Sequence, residues 1–306
     1  MRPEATTSRN KQTLKFRNLM ELTDQKTEDL SMSERTLEKM SQKQQTDLQG
    51  KVVVKLREKL NRNGLAICFE PIMFSHTQRL TGANVTIKIR RKGVGLVPAQ
   101  HIFSIVEHSN ILVDIGCWLV KEILYLSREF PPYFTFTLPA NFYQLQSRKF
   151  VYCICNLLDH LGIDGRSLQL VFAGNDFQKY EDHIGGSLRV LGGAGLTFCI
   201  SQFGRIEATL QSLSQKGFSS LVLDRSLTNG LEDNEVKQHF MRILINEGHA
   251  YNFKLRAIGV NSIAKEKSYG QIGIDELQKD FVSVDILKHL CLRVSDRWQN
   301  HPLQSL

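Results

Sequence analysis

Four groups of residues in this chain could do chemistry by type and spacing: a cysteine pair, the histidines, a serine–aspartate stretch and a basic cluster. Cys153 and Cys155 have the Cys-x-Cys spacing of half a zinc knuckle. Cys68, Cys117, Cys199 and Cys291 supply no second pair, which favours small reduced side chains over a metal site. His101 and His108 lie seven residues apart, on one face if helical, but the sequence places no carboxylate partner for them. Ser219-Ser220 lacks the Gly-x-Ser-x-Gly frame of a nucleophile elbow. Asp224-Arg225-Ser226 reads as a local hydrogen-bonding set at a strand end. Lys88, Arg90, Arg91 and Lys92 form the sharpest charge cluster, suited to an anionic partner (nucleotide, RNA or an acidic protein face) or simply to a solvated loop. Aromatic residues are not interleaved with these cations, so no stacking platform for single strands is evident.

The elements that must position these residues are legible from periodicity. Residues 1–47 are polar, with sparse apolar positions, and read as a partly helical or disordered extension. From Leu48, Val52, Leu56 and Leu60 an apolar helical face begins, closed by Asn63-Gly64. Strand-like runs at 65–73, 84–90, 133–138, 168–173, 195–201, 219–224 and 253–260 then alternate with helix-like runs at 99–108, 112–129, 147–161, 181–192, 205–215, 232–250 and 262–268. A last helix is expected over 283–297. Repeated βα units of this number favour a TIM-like (β/α)8 barrel over 48–290, with a tail at 291–306. Gly185-Gly186 and Gly192-Gly193 do not follow a strand and are read as turn glycines, which sets aside a dinucleotide fold. The formal charge is +8; the first 50 residues hold 9 basic and 8 acidic groups, so the excess lies further along. The best apolar run, Ile111 to Leu126, is broken by Asp114, Lys121 and Glu122, and no secretory leader opens the sequence. The expectation is a cytoplasmic protein with no membrane partner.

The order of segments resembles the EAL domain family of cyclic di-guanylate phosphodiesterases. Cys68-Phe69-Glu70-Pro71-Ile72 is similar to its Gln-Pro-Ile strand, with Glu70 for Gln. Gly82 precedes the signature, which here reads Asn84-Val85-Thr86 instead of Glu-Ala-Leu. Val97-Pro98, Ile102 to Glu107, Ile115-Gly116 with Trp118-Leu119-Val120, Gly259-Val260 and Gly273-Ile274-Asp275-Glu276-Leu277-Gln278 follow in the family's order.

The resemblance implies two divalent cations held by strand-end carboxylates and an Asn, with a Lys assisting attack of water on a phosphodiester. Carried onto this sequence, those positions hold Asn84, Thr137, Val171, Ser201, Gln202, Val222 and Ile258; Asp224 alone keeps the family's residue. Aliphatic side chains can neither ligate such cations nor transfer protons. The expected outcome is a degenerate, catalytically inactive member with no catalytic residues, metal or cofactor. It would act through protein contacts, with a transcription regulator or an RNA-turnover component, in motility, biofilm or transcript-level control. The alternative is a non-hydrolysing cyclic di-guanylate receptor. Lys88 stands where the family's phosphate-contacting Arg would be, and the guanine-orienting positions hold Val171, Gly174 and Asn261, so the polar contacts are sparse. RNA contact and a homodimer stay open.

Overall fold

The computed structural model describes residues 42–91, 93–174, 177–204, 209–280, 282 and 285–288, with the side chains at 44, 91, 101, 178 and 181 left out. The expected extension lies outside these residues apart from 42–47, and the expected tail lies wholly outside. Of the expected last helix only 285–288 is described, and it is helical. The chain divides into two compact units, residues 1–66 with 88–106, and residues 67–87 with 107–306.

In the first unit, α1 (Gln42–Asn61) buries Leu48, Val52 and Leu56, the stripe that recurs every four residues. Asn63 takes the left-handed conformation (φ 52°) just beyond its end, a conformation Asn tolerates better than most side chains. Here β1 (Leu65–Phe74) begins and β2 (Leu80–Arg91) ends. The end of β2 pairs antiparallel with β3 (Gly95–Pro98), Arg90 facing Leu96 and Lys88 facing Pro98. This short strand was not expected from the sequence: four residues carry too little alternation to register. The short helix α2 (Gln100–Ile105) packs on α1.

The second unit is a closed eight-stranded mixed barrel. After α3 (Asn110–Ser127) come β4 (Thr135–Pro139), α4 (Phe142–Gln146), α5 (Arg148–Leu161), β5 (Leu168–Ala173), α6 (Phe177–Gly193) and β6 (Thr197–Phe203). Then follow α7 (Leu210–Gln215), β7 (Phe218–Leu223), α8 (Arg225–Thr228), α9 (Glu235–Ala250), β8 (Lys254–Ile258), α10 (Ile263–Ile272) and β9 (Glu276–Gln278). The ring runs β1-β9-β8-β7-β6-β5-β4-β2 and closes by pairing β1 with β2. The TIM-like barrel expected from the alternating pattern is therefore present, with one departure. Residues 75–79 alone join β1 to β2, too few for a crossover helix, and β1 runs antiparallel to β9. The strands from β4 to β9 run parallel to one another, and β2 is parallel to β4.

Alternation decides which side chains fill the barrel and which lie under the helices. On β5, Phe172 stacks on Phe142 of α4 at 5.1 Å, so Leu168, Leu170 and Phe172 form the outer, helix-covered face. Gln169 and Val171 point the other way, into the lumen. Gly82 opposes Thr135 in the β2–β4 pairing, and a Cβ there would stand 2.2 Å from the Thr135 carbonyl oxygen, so the strands close only around glycine. The pairs Gly185-Gly186 and Gly192-Gly193, read as turn glycines, lie instead within α6, whose other residues carry the helical periodicity through them.

Candidate functional site: the barrel lumen and mouth

The lumen is layered. In the lower layer Gln169 links strands that are not neighbours: its Nε2 donates to Thr197 Oγ1 (3.3 Å) and Ser220 Oγ (3.1 Å). Its Oε1 accepts from Thr137 Oγ1 (3.1 Å) and from Arg256 Nη2 (3.2 Å). Arg256 also pairs with Glu276 through Nε and Nη2, each at 2.8 Å, with both side chains buried. A guanidinium taken out of water holds its charge only with such compensation. Burial opposes the charge on Arg256, while the neighbouring Glu276 carboxylate and the hydrogen bond to it reinforce it; the balance holds its pKa above the ordinary value. Cys199 lies against this pair. Full burial pushes its thiol up to about 12, against an opposing pull from Arg256.

Two residues further along each strand is the upper layer, at the carboxyl ends where a barrel carries its chemistry. By this phase Val171, Val222, Ile258 and Gln278 follow Gln169, Ser220, Arg256 and Glu276. Ile258 pairs in register with Gln278, and Val222 with Arg256. On the remaining wall the Glu70 Oε2 accepts two amide hydrogens, from Asn84 Nδ2 (2.8 Å) and Gln278 Nε2 (2.7 Å). Three strands, β1, β2 and β9, are thereby tied by one carboxylate. The pair at Glu70 and Asn84 keeps one carboxylate and one amide in contact, with their order reversed relative to the resemblance.

The other expected positions fall as follows. Thr137 belongs to the lower layer, buried and engaged by Gln169 and by Arg256 (3.4 Å). Ser201 Oγ donates to the Phe172 carbonyl (3.2 Å), which reaches the neighbouring strand rather than the mouth. Gln202 takes a left-handed backbone (φ 61°), and its Oε1 is buried with no hydrogen bond. Asp224 caps α8: its Oδ1 accepts from Ser226 N (2.8 Å), and its own N donates to Phe203 O (2.9 Å). Lys88 and Arg90 belong to the first unit, on β2 opposite β3; the side chain of Arg91 and all of Lys92 lie outside the described residues. His108 Nδ1 meets Tyr180 Oη at 3.4 Å and its ring lies edge-on to Tyr143, while the His101 side chain is not described. Cys155 is not the partner of Cys153. The thiol interacting with Cys153 is Cys117 on α3, and its hydrogen bond pulls the Cys153 pKa down and that of Cys117 up.

The lower-layer network was missed in the sequence. Its signal was present: Arg256 sits between Leu255 and Ala257, at a lumen phase, and Gln169 does the same between Leu168 and Leu170. A charged residue at a buried phase implies a partner there, but the partner's strand is set only by closure.

The resemblance implies a pair of divalent cations at the mouth. Such cations take several hard, mostly anionic oxygens within a few ångström. The positions implied for them offer amides, hydroxyls and three aliphatic side chains, which do not fit the pair. Among the described residues no three of His, Cys, Asp and Glu converge in a metal-holding group.

Comparison with known proteins places the chain in a family. The sequence pattern of the EAL domain matches residues 53–284. The signaling protein YkoW of Bacillus subtilis is 21% identical over 231 residues, covering 74% of this chain and 29% of that protein. The bifunctional diguanylate cyclase/cyclic di-GMP phosphodiesterase MucR of Pseudomonas aeruginosa is 22% identical over 227 residues, 73% of this chain and 33% of MucR. The chain thus spans about a third of the length of these relatives. Among solved structures, the MucR phosphodiesterase in complex with c-di-GMP aligns with a TM-score of 0.69 at 20% identity, over 78% of this chain and 99% of that one. The FimX EAL domain of Xanthomonas citri in complex with c-diGMP aligns at 0.67 and 17% identity, over 79% and 97%. With the family pattern spanning the barrel, the chain belongs to the EAL domain family.

Proposed function

We propose that this chain is a non-catalytic EAL-family regulatory protein that acts through protein contacts, its two-metal phosphodiesterase centre having been lost. The observation that carries this reading is the side-chain set facing the mouth: Val171, Val222 and Ile258 stand at the phase where ligands and a proton-transferring Lys are needed. No change of rotamer turns a hydrocarbon into a donor, and on the opposite wall the Glu70 carboxylate is engaged by the amides of Asn84 and Gln278. Membership of a family of cyclic di-guanylate signalling proteins supports a regulatory role, and a transcription regulator or an RNA-turnover component is the partner proposed for it. Incubation with cyclic di-guanylate and Mg²⁺ or Mn²⁺ is expected to leave the nucleotide intact, as followed by chromatography. Metal-dependent appearance of the linear dinucleotide would overturn the reading.

A second reading is a receptor that binds cyclic di-guanylate without cleaving it. It is favoured by the similarity to EAL domains solved with c-di-GMP, the FimX domain among them, and by the polar trio Glu70, Asn84 and Gln278 at the mouth. Isothermal titration separates the two. Micromolar or tighter binding with no hydrolysis assigns a receptor, and silence leaves the protein-contact reading.

A further inference from the structure

The +8 charge of the chain is not spread over it. Residues 42–66 and 88–106 of the first unit hold 10 basic and 2 acidic side chains, a net of +8. Residues 1–41 hold 8 basic and 7 acidic, and the barrel unit, 67–87 with 107–306, holds 21 and 22. The excess thus falls on 44 residues, while the barrel is electrically near balance at −1. This sharpens the expectation that the excess lies somewhere in the globular part.

The same unit carries an exposed apolar edge among those cations. On the β2–β3 hairpin, Ile89 is buried while Arg90 is exposed, and directly opposite Arg90 stands Leu96, 44% exposed. Directly opposed residues of an antiparallel pair project to one face, so Arg90 and Leu96 share the outer side, with Pro98 two residues on and also exposed. At the tip Val94 is 54% exposed. The hairpin is fixed to α1 and to the turn after it: Lys59 Nζ donates to Arg90 O (2.7 Å), and Arg90 N donates to Gly64 O (2.8 Å). Lys55 on α1 and Arg62, just beyond its end, are exposed as well.

We infer that this unit is a docking surface for an anionic lipid bilayer, with Val94 and Leu96 entering the headgroup region and Arg90, Lys55 and Arg62 meeting lipid phosphates. The charge asks for a polyanion, and the apolar tip decides which one. Nucleic acid would use the cations and leave two aliphatic side chains idle. Phe103 is the only Phe, Tyr or Trp of these segments and is not exposed, so among their described side chains no such ring is offered to a base. A membrane interface uses both features, because partial burial of apolar side chains adds to attraction by anionic headgroups. This is adsorption and not a span: no helix among the described residues is long and apolar enough to cross a bilayer. It departs from the expectation that membranes play no part.

Cosedimentation of the full chain with vesicles tests it. Binding is expected to phosphatidylcholine vesicles containing about a third phosphatidylglycerol, to fall steeply with added salt, and to be absent with phosphatidylcholine alone. Arg90→Gln lowers the partition coefficient about fivefold, the worth of one interfacial cation. Val94→Ser with Leu96→Ser lowers it further at unchanged net charge, and circular dichroism confirms that each variant is folded. Lys55→Gln, on the helix, gives a second cation loss independent of the hairpin. Absence of binding to the anionic vesicles overturns the proposal. So does binding that the serine variants leave unchanged, or tighter binding to a duplex RNA of equal charge at the same salt.

Discussion

At the scale of the residue, the lumen holds the interactions with the largest consequences. Arg256 is buried and satisfied by Glu276, Gln169 and Thr137. Glu276→Gln removes the countercharge and leaves a guanidinium in a lumen it cannot leave, so urea unfolding should show a loss of about 3–5 kcal/mol. Arg256→Met with Glu276→Leu removes both charges and should recover most of that loss, since a buried pair contributes little beyond cancelling its own desolvation. The cysteines make a second residue-scale prediction. The Cys117 hydrogen bond and, to a lesser degree, Lys149 lower the pKa of Cys153, so more of it is thiolate at neutral pH. Cys199, pushed up to about 12 by burial, stays protonated and enclosed. Alkylation at pH 7.5 followed by peptide mapping should therefore label Cys153 ahead of Cys199, which reacts only after unfolding. Labelling of Cys199 first would contradict the buried placement.

At the scale of the element, the sequence located the strands because their apolar runs are continuous, and it lost their edges because pairing, not composition, ends a strand. Strand β2 was expected from residue 84 and begins at Leu80, held by β4 from Gly82 onward. Strand β6 was expected to end at 201 and continues through Phe203, where β7 supplies a partner beyond a register shift. Strand β9, three residues long, and helix α4, five residues long, fall below any periodicity window. Helix α4 is nonetheless specified locally, by a capping box between Asn141 and Gln144. Gly82 gives the element-scale prediction. Gly82→Ala puts a methyl into the Thr135 carbonyl and must push β2 from β4, which should cost about 1–3 kcal/mol and lower the melting temperature, without altering lumen chemistry directly.

At the scale of the whole molecule, the proposed loss of hydrolysis is distributed, and that makes it resistant to single repair. Asn84→Glu returns one carboxylate to the mouth, but it would face Glu70 across the contact now made at 2.8 Å, with Val171, Val222 and Ile258 still aliphatic. The variant should remain inactive toward cyclic di-guanylate in the presence of Mn²⁺, and like-charge repulsion should destabilise it. Measurable turnover would show that fewer ligands suffice than the mouth positions imply. Charge, too, is a property at this scale: the barrel is near neutral while the segments outside it carry the excess.

The alternation of strands and helices, the barrel class and the residue types standing at the mouth are all legible in the amino-acid order. Each of those is local: a period, a turn, or the absence of a carboxylate at one position. Only the tertiary structure decided that Gln169 on one strand meets Ser220 and Arg256 on two others, that Glu70 ties Asn84 to Gln278, and that Arg90 shares a face with Leu96. These contacts join residues far apart in the chain, and ring closure and strand register, which no local pattern encodes, bring them together.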